Sequence, residues 1–331
     1  MNFILKNARL SVMAVVIALC FSACDSDEDD VMVVDPGNGE GAETTTIADF
    51  ASNNDNYSSL AAALEVTGLS ATLDGDANYT VFAPDNDAFA AFLDANDFES
   101  LDEVPVEVLT QVLLNHVQAG VIKAADLSTG YIQSLSTAGP EGKNLSLYIN
   151  TENGVKLNGV SNVTTADVEV DNGVIHAVDA VIGLPNITTF ALADPTFEIL
   201  VQALTREDSY TFVETLMLSD SPAPFTVFAP TNDAFVNLLD ELDLDSLADI
   251  DAETLAAVLS YHVVTENNVT SDELSDGMSV ATFQGESFTI NLGDNAVITD
   301  VNNRTSTIIA VDVQATNGVI HAIDTVILPT L

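Results

Sequence analysis

The side chains best suited to chemistry in this sequence are four histidines, which fall into two repeated pairs. His116 and His262 each end a helical stripe, and His176 and His321 each follow a Val-Ile dipeptide. Imidazoles serve as general bases and metal ligands. Two histidines per repeat fall short of the four ligands of a structural zinc site, and the Asp three residues after His176 or His321 points to the opposite strand face. We therefore predict structural roles for all four.

Helical spacing positions the first pair. Leu109, Val112 and Leu113 precede His116 at the intervals that place four side chains on one helix face, and the same pattern leads to His262. That face is apolar, so we expect both imidazoles to pack in or beside a core near a helix end.

Other catalytic signatures are missing from the sequence. It has no Gly-x-Ser-x-Gly, no phosphate-binding glycine loop and no His-Glu-x-x-His, and both cysteines lie within the first 24 residues. We expect no enzymatic activity, no cofactor and no metal site.

Charge excludes a further class of function. The 331 residues include 51 acidic and 7 basic side chains, a net charge of −44, which opposes approach to phosphate backbones. Nucleic acid is therefore not an expected partner. Because 47% of the residues are hydrophobic, the chain can form packed cores. Most carboxylates lack a basic partner, so we expect divalent cations and salt to stabilise the fold by non-specific screening.

The first residues have the layout of an export signal. Lys6 and Arg9 precede an apolar run that is too short to span a bilayer, and Phe21-Ser-Ala-Cys24 resembles the lipobox of bacterial lipoproteins. We predict a signal peptide at residues 1–23 and lipidation of Cys24, which would anchor the chain to a membrane. Removal of the signal leaves 5 basic and 51 acidic residues, a net charge of −46.

Residues 24–43 are acidic and contain few core-forming side chains, so they are predicted to be a flexible tether. Ser26-Asp-Glu-Asp-Asp30 resembles the export signal of Bacteroidetes lipoproteins, which implies an outer-membrane lipoprotein exposed at the cell surface. Asp25 also resembles the inner-membrane retention signal of enteric bacteria. A periplasm-facing lipoprotein is therefore the alternative.

The rest of the chain is one unit used twice. Three blocks recur in the same order at offsets of 145 or 146 residues, which indicates a tandem duplication. The paired blocks are Tyr79–Phe89 with Phe225–Phe235, Val112–Val117 with Val258–Val263, and Asn172–Asp179 with Asn317–Asp324. We predict domains at residues 44–186 and 187–331, called below the first repeat and the second repeat.

Each repeat is predicted to begin with helices and end with strands. A helical stripe closes near Gly68, and the Thr-Val-Phe-Ala strand stops at Pro84 or Pro230. Asp85 and Thr231 are suited to cap the next helix. Alternation through Leu145, Leu147 and Ile149, and through Phe288, Ile290 and Leu292, predicts half-buried strands. The order favours an α+β fold with segregated helices over a doubly wound sheet.

The ordered blocks Thr-Val-Phe-Ala-Pro-x-Asn-Asp-Ala-Phe, then His at a helix end, then Asn-Gly-Val-Ile-His resemble the fasciclin domain in both repeats. The resemblance implies two tandem fasciclin-type domains, each a β-sandwich wedge with a segregated helical face. It also implies a role in adhesion or matrix contacts.

The resemblance further suggests contact residues. An Asp-Ile pair associated with integrin binding in animal relatives corresponds here to Asp167-Val168 and Asp312-Val313. A Tyr-His segment linked to cell binding corresponds to Tyr261-His262, and to Asn115-His116 in the first repeat. A structural role for Asp167 and Asp312, at the end of a loop before a strand, is the alternative.

Two functions remain open at this point. One is adhesion or contact with extracellular matrix or biofilm, with an unknown surface protein, matrix protein or glycan as partner. The other is an accessory lipoprotein that captures a glycan or small molecule at the outer membrane. Carbohydrate sites usually present aromatic platforms, and a chain with no Trp and 6 Tyr modestly favours adhesion.

Overall fold

The computed structural model describes residues 45–331, and Thr44–Leu331 form one compact unit. The predicted signal peptide, the Cys24 lipidation site and the tether lie outside the described residues. The helices of the first repeat are α1 (Ile47–Asn53), α2 (Ser58–Thr67), α3 (Ser70–Leu73), α4 (Asn86–Ala95) and α5 (Val106–Asn115). Its strands are β1 (Tyr79–Pro84), β2 (Val117–Ala119), β3 (Gly130–Gln133), β4 (Ser146–Asn150), β5 (Lys156–Leu157), β6 (Ser161–Val170) and β7 (Gly173–Val178).

The second repeat has the same order of elements. Its helices are α6 (Ile187–Ala193), α7 (Glu198–Leu204), α8 (Phe212–Leu216), α9 (Asn232–Glu241) and α10 (Ala252–Tyr261). Its strands are β8 (Phe225–Pro230), β9 (Val263–Val264), β10 (Met278–Ala281), β11 (Ser287–Leu292), β12 (Ala296–Thr299), β13 (Thr305–Ala315) and β14 (Gly318–Ile323).

Each repeat contains one seven-stranded sheet, with the order β2-β1-β7-β6-β5-β4-β3 in the first and its counterpart in the second. All neighbours are antiparallel except β1 with β7 and β8 with β14, which are parallel. Register shifts along β6 and β13 mark bulges, which bend a strand and increase its twist.

Side-chain alternation on β1 separates two core layers. Phe82 is fully buried and packs with Leu147 and Val178 between the two halves of the sheet. Its neighbours Val81 and Ala83 point the other way and pack against the helices. Each repeat is therefore a β-sheet wedge with helices on one face, and the predicted α+β fold is confirmed.

The local signals read from the sequence also hold. Helix α2 ends at Gly68 in the left-handed conformation, with φ of 71°. The Asp85 side chain caps α4 by accepting the Ala88 amide at 2.8 Å, and Thr231 caps α9 in the same way. Short polar side chains satisfy amide groups that a helix start leaves unpaired.

One burial prediction was wrong. Strand β4 was expected to be half-buried, but Ser146 and Tyr148, which alternate with its apolar residues, are 3% and 2% exposed. The reason is that the second repeat covers this face of β4. Tyr148 belongs to the hydrophobic cluster of the second repeat, and Ser146 Oγ accepts the Gln314 amide at 2.9 Å. In β11 the predicted alternation is confirmed for Phe288 and Ile290, which are buried, but it was wrong for Leu292, which is 44% exposed at the end of the strand.

The contact between the repeats includes aromatic and charged groups. Tyr131 packs edge-on against Phe190, with ring centroids 5.6 Å apart, and its hydroxyl donates to Asp194 Oδ2 at 2.9 Å. The Thr316 amide donates to the carbonyl of Pro185 at 2.8 Å. The two repeats thus share core and hydrogen bonds.

Candidate functional site

A bulge in β6 places Asp167 beside His176. The register of β6 against β7 shifts between Thr165 and Val168, and Asp167 lies there with φ of 59°, a left-handed conformation that Asp tolerates better than most residues. Its backbone amide donates to His176 Nδ1 at 3.2 Å. Nδ1 is therefore an acceptor, and the imidazole proton resides on Nε2.

The same two residues hold the chain that follows β2. His176 Nε2 donates to the carbonyl of Ile122 at 3.0 Å, and Asp167 Oδ1 accepts the Ala124 amide at 2.8 Å. We call residues 120–126 the first clamped loop. His176 itself is fully buried and stacks on Phe82, with ring centroids 5.5 Å apart.

The second repeat builds the same arrangement around residues 267–273, the second clamped loop. Asp312 has φ of 60°, and its amide donates to His321 Nδ1 at 3.4 Å. His321 Nε2 donates to the carbonyl of Val269 at 2.8 Å, and burial lowers the pKa of this imidazole. We call each pair, Asp167 with His176 and Asp312 with His321, a clamp. The same clamp therefore occurs in both repeats.

The two clamps differ in how freely the carboxylate is presented. Asp312 is half-buried, and both of its oxygens accept hydrogen bonds from Ser271, one from the amide at 2.7 Å and one from the hydroxyl. Asp167 receives only the Ala124 amide, and its side chain is 38% exposed. Asp167 thus presents a carboxylate oxygen to solvent, whereas both carboxylate oxygens of Asp312 are already hydrogen-bonded to Ser271.

The valines beside these aspartates are not equally accessible. Val313 is 3% exposed and belongs to the core of the second repeat. Val168 is half-buried against the helix-facing core of the first. Of the two predicted Asp-Val pairs, only the Asp167 carboxylate is well placed for an external contact.

The helix-end residues are interior. His116 Nδ1 donates to the Val112 carbonyl at 2.7 Å, and its Nε2 accepts the Ile182 amide at 2.8 Å. Its counterpart His262 makes the same two contacts with Val258 and Ile327, at 2.7 and 3.2 Å. Burial lowers the pKa of each histidine from 6.5 to about 4, so both are neutral near pH 7.

Their neighbours in sequence are interior as well. Asn115 and Tyr261 are both 0% exposed; Asn115 Nδ2 donates to the Gly183 carbonyl at 3.0 Å, and the Tyr261 hydroxyl donates to the Ser287 carbonyl at 3.2 Å. A direct contact between these side chains and a partner would require local unfolding. The structure therefore separates the eight predicted contact residues into one solvent-facing carboxylate and a set that builds the fold.

Sequence reasoning missed a groove of about 670 Å³ in the first repeat. It lies between α4, α5, the β5–β6 turn and the segment that leads into the second repeat, and Thr189 of α6 also lines it. Its apolar lining comprises Phe92, Phe98, Val108, Val160, Val181 and Leu184. No local sequence pattern marks this groove, because its lining comes from segments that are distant in the chain.

Within residues 45–331, no three His, Cys, Asp or Glu side chains are grouped so as to hold a metal ion. Over the same residues, no helix has both the length and the apolarity required to span a bilayer.

Comparison with known proteins identifies the two repeats. The family model described as the fasciclin domain matches residues 55–185 and 195–329. The chain belongs to the fasciclin domain family. The solved structure of a FAS1 domain pair from the insect cell adhesion molecule fasciclin I aligns with a TM-score of 0.51 at 21% identity, over 82% of this chain and 97% of that chain. At this identity the match shows the shared fold of the two fasciclin domains.

Relatives of known sequence include animal and bacterial proteins. The pig transforming growth factor-beta-induced protein ig-h3 is 28% identical over 262 residues, 78% of this chain but only 35% of that protein. Protein sll1483 of Synechocystis is 40% identical over 139 residues, 41% of this chain and 72% of that protein. Human periostin is 25% identical over 86% of this chain and 31% of its own length. The chain thus spans about a third of the length of these two animal proteins.

Proposed function

We propose that this protein is a lipid-anchored cell-surface protein that mediates adhesion or contacts with extracellular matrix or biofilm through its two fasciclin domains. The family membership and the description of fasciclin I as a cell adhesion molecule support this function. The export-signal pattern of residues 1–23, with Cys24 at its end, supports attachment to the outer membrane. The periplasm-facing orientation is the alternative location.

The observation that carries the proposal is the exposed carboxylate of Asp167. The left-handed bulge, the bond to His176 and the bond to Ala124 fix its position, while one oxygen remains open to solvent. A preorganised group loses little conformational entropy when a partner binds. We infer that Asp167 contacts a cationic or hydrogen-bond-donating group on a surface protein, matrix protein or glycan.

The test uses the internal duplication as its control. Asp167→Asn removes the charge but keeps an acceptor oxygen for Ala124 and a residue type that tolerates positive φ. Asp312→Asn makes the same change at the carboxylate whose two oxygens are hydrogen-bonded to Ser271. In an attachment assay with cells that display the chain, we expect Asp167→Asn to reduce attachment and Asp312→Asn to leave it near the original level. Equal attachment by all three chains would refute a contact through Asp167.

Anchoring and display are tested separately. Cys24→Ser should release the protein from the membrane fraction, because no thiol remains for lipidation at that position. Deletion of residues 25–30 should reduce protease access in whole cells if the acidic run directs export. Unchanged access would remove this argument for surface display.

A second candidate function, capture of a small molecule, is favoured by the groove in the first fasciclin domain. A monomeric protein rarely exposes a large apolar patch unless something binds there. Val108 and Val160 in the groove are 43% and 57% exposed.

A further inference from the structure

The groove in the first fasciclin domain contains a hydrogen-bond donor without a partner. Asn158 is 3% exposed and lies in the groove lining, in the turn between β5 and β6. Its Oδ1 accepts the Tyr148 amide at 2.8 Å, but its Nδ2 has no partner among the residues that the structure describes. A buried donor that lacks a partner costs about 1 to 3 kcal/mol, so an acceptor brought by a ligand would recover free energy.

One backbone position in the groove has room for a side chain. Gly183 lines the groove, and a Cβ atom added there would meet nothing within 4 Å. A larger residue at this position would therefore project into open space.

In the second domain, the turn between β12 and β13 makes several polar contacts. Asn302 Nδ2 donates to the carbonyls of Leu328 and Pro329, each at 3.0 Å, and Asp300 Oδ2 accepts the Leu328 amide at 2.9 Å. Arg304 forms an ion pair with Glu241 of α9. In the first domain the corresponding turn is shorter, and Asn158 contributes its unpaired amide there.

The lining defines the chemistry of an occupant. None of the lining residues found in the described part of the chain is charged, and the mature protein has a predicted net charge of −46. An anionic ligand would find no cation to offset its desolvation and would be repelled by the protein. A volume of about 670 Å³ lies within the range of small-molecule sites.

We propose that this groove binds a neutral amphipathic small molecule, whose apolar body packs on the phenylalanine and valine side chains and whose carbonyl or hydroxyl oxygen accepts the hydrogen bond of Asn158 Nδ2. This inference deepens the second candidate function and does not depend on adhesion through Asp167. Thr189 of α6 also lines the groove, so the ligand would touch both fasciclin domains.

Nile red is a suitable probe because it is neutral, apolar and carries a carbonyl oxygen. Residues 44–331 are a suitable protein, since they form one compact unit and the core clusters found in the described chain draw only on Ile47 to Leu328. We expect saturable fluorescence enhancement with one dye bound at the groove of each chain. The anionic apolar dye ANS should bind at least about tenfold more weakly.

Three variants test whether Nile red binds in the groove of the first domain. Gly183→Leu adds a large side chain where the groove lining has open space, and it should weaken Nile red binding by about tenfold or more. Val160→Thr removes apolar contact inside the groove and should weaken binding several-fold, whereas Val121→Thr makes the same change at a valine that is 50% exposed outside it and should have no effect. Urea unfolding should confirm that all three variants are folded.

Asn158→Asp tests the hydrogen bond. Asp keeps the acceptor for the Tyr148 amide and tolerates the left-handed conformation, but it loses the donor. We expect weaker binding of Nile red and no comparable loss for diphenylhexatriene, a neutral apolar dye without an acceptor. A purely structural role for Asn158 would instead change the binding of both dyes equally.

The absence of Trp from the chain allows a direct measure of position. Phe98→Trp places a single indole at the groove, and its emission should be quenched by bound dye. Phe283→Trp, at a phenylalanine that is 49% exposed in the second domain, is the matched control and should be quenched less.

Several results would overturn the proposal. They are unchanged Nile red binding in Gly183→Leu, equal binding of ANS, equal quenching at both indoles, or a dimer in sedimentation that Gly183→Leu dissociates. The last result would mean that a second copy of the chain covers the groove. None of them would bear on attachment through Asp167, which its own variant tests.

Discussion

The backbone amide of Asp167 donates to Nδ1 of His176 at 3.2 Å. In the second domain the amide of Asp312 donates to Nδ1 of His321 in the same way, and in both domains the histidine follows the aspartate by nine residues. The Asp-Val pair and the Val-Ile-His block, which are separate motifs in the sequence, are therefore two halves of one clamp. The clamp fixes the tautomer of the imidazole, because the amide donor leaves Nδ1 no role except acceptor. It also explains why a buried histidine is used here: its two ring nitrogens join a bulge to a loop.

Replacement of His176 by Phe should loosen the first clamped loop. The change keeps an aromatic ring beside Phe82 but leaves the Asp167 amide and the Ile122 carbonyl without their partner. We expect a loss of about 2 to 4 kcal/mol in the free energy of unfolding, measured in urea. Amide hydrogen exchange in residues 120–126 should accelerate more than in 267–273. Asp167→Asn retains both histidine bonds and is the control; uniform exchange in both loops would contradict the clamp.

The helix-end histidines predict how stability depends on pH. His116 and His262 have a pKa of about 4 in the folded state and 6.5 when exposed, so the unfolded chain binds more protons between these values. Their contribution is fully present above pH 6.5 and is lost progressively as the pH falls to 4. At 1.36 kcal/mol per pKa unit, each histidine accounts for about 3 kcal/mol over this window.

A protein with 51 acidic residues has many other groups that can affect its pH dependence. The histidine effect is therefore measured as a difference. His116→Gln cannot titrate in this range, and its free energy of unfolding should fall less steeply than that of the original chain between pH 6.5 and 4. Parallel curves for the two proteins would show that His116 is not buried in its neutral form.

Much of this fold could be predicted from local patterns. The Asp85 cap and the Gly68 helix end depend on neighbours within a few residues, and the structure confirms both of them. The cover over Tyr148, the pairing of Asp167 with His176 and the open space at Gly183 depend on bulges and on packing between distant segments. Periodicity does not encode such contacts.

Gly173 should be intolerant of any side chain. It has φ of +156°, and a Cβ atom there would lie 2.1 Å from the Tyr79 carbonyl oxygen, where β7 runs beside β1. We expect Gly173→Ala to cost more than about 3 kcal/mol or to prevent folding, as measured by soluble yield and urea unfolding. Gly183→Ala, which meets open space at ordinary φ, is the control and should be nearly neutral. Similar losses for both variants would contradict the close approach of β1 and β7.

Salt should stabilise the protein through screening. With 51 acidic and 7 basic residues in the full sequence, repulsion between carboxylates outweighs the few ion pairs. The thermal midpoint should rise as NaCl is increased from about 10 mM to about 0.5 M, because the Debye length then falls from about 30 Å to a few Å. MgCl₂ at matched ionic strength should give a similar rise without saturation. Saturable stabilisation at micromolar Mg²⁺ would instead indicate a specific cation site.

The bond between Tyr131 and Asp194 should couple the unfolding of the two domains. Tyr131→Phe keeps the ring against Phe190 but removes a hydrogen bond to a carboxylate that is 7% exposed, which should cost about 1 to 3 kcal/mol. Because Tyr131 and Asp194 lie in different domains, the loss should separate one urea transition into two or broaden it. Tyr57→Phe alters a half-buried tyrosine within the first domain and is the control. A single, equally sharp transition in both variants would show that the bond between Tyr131 and Asp194 does not couple the two domains.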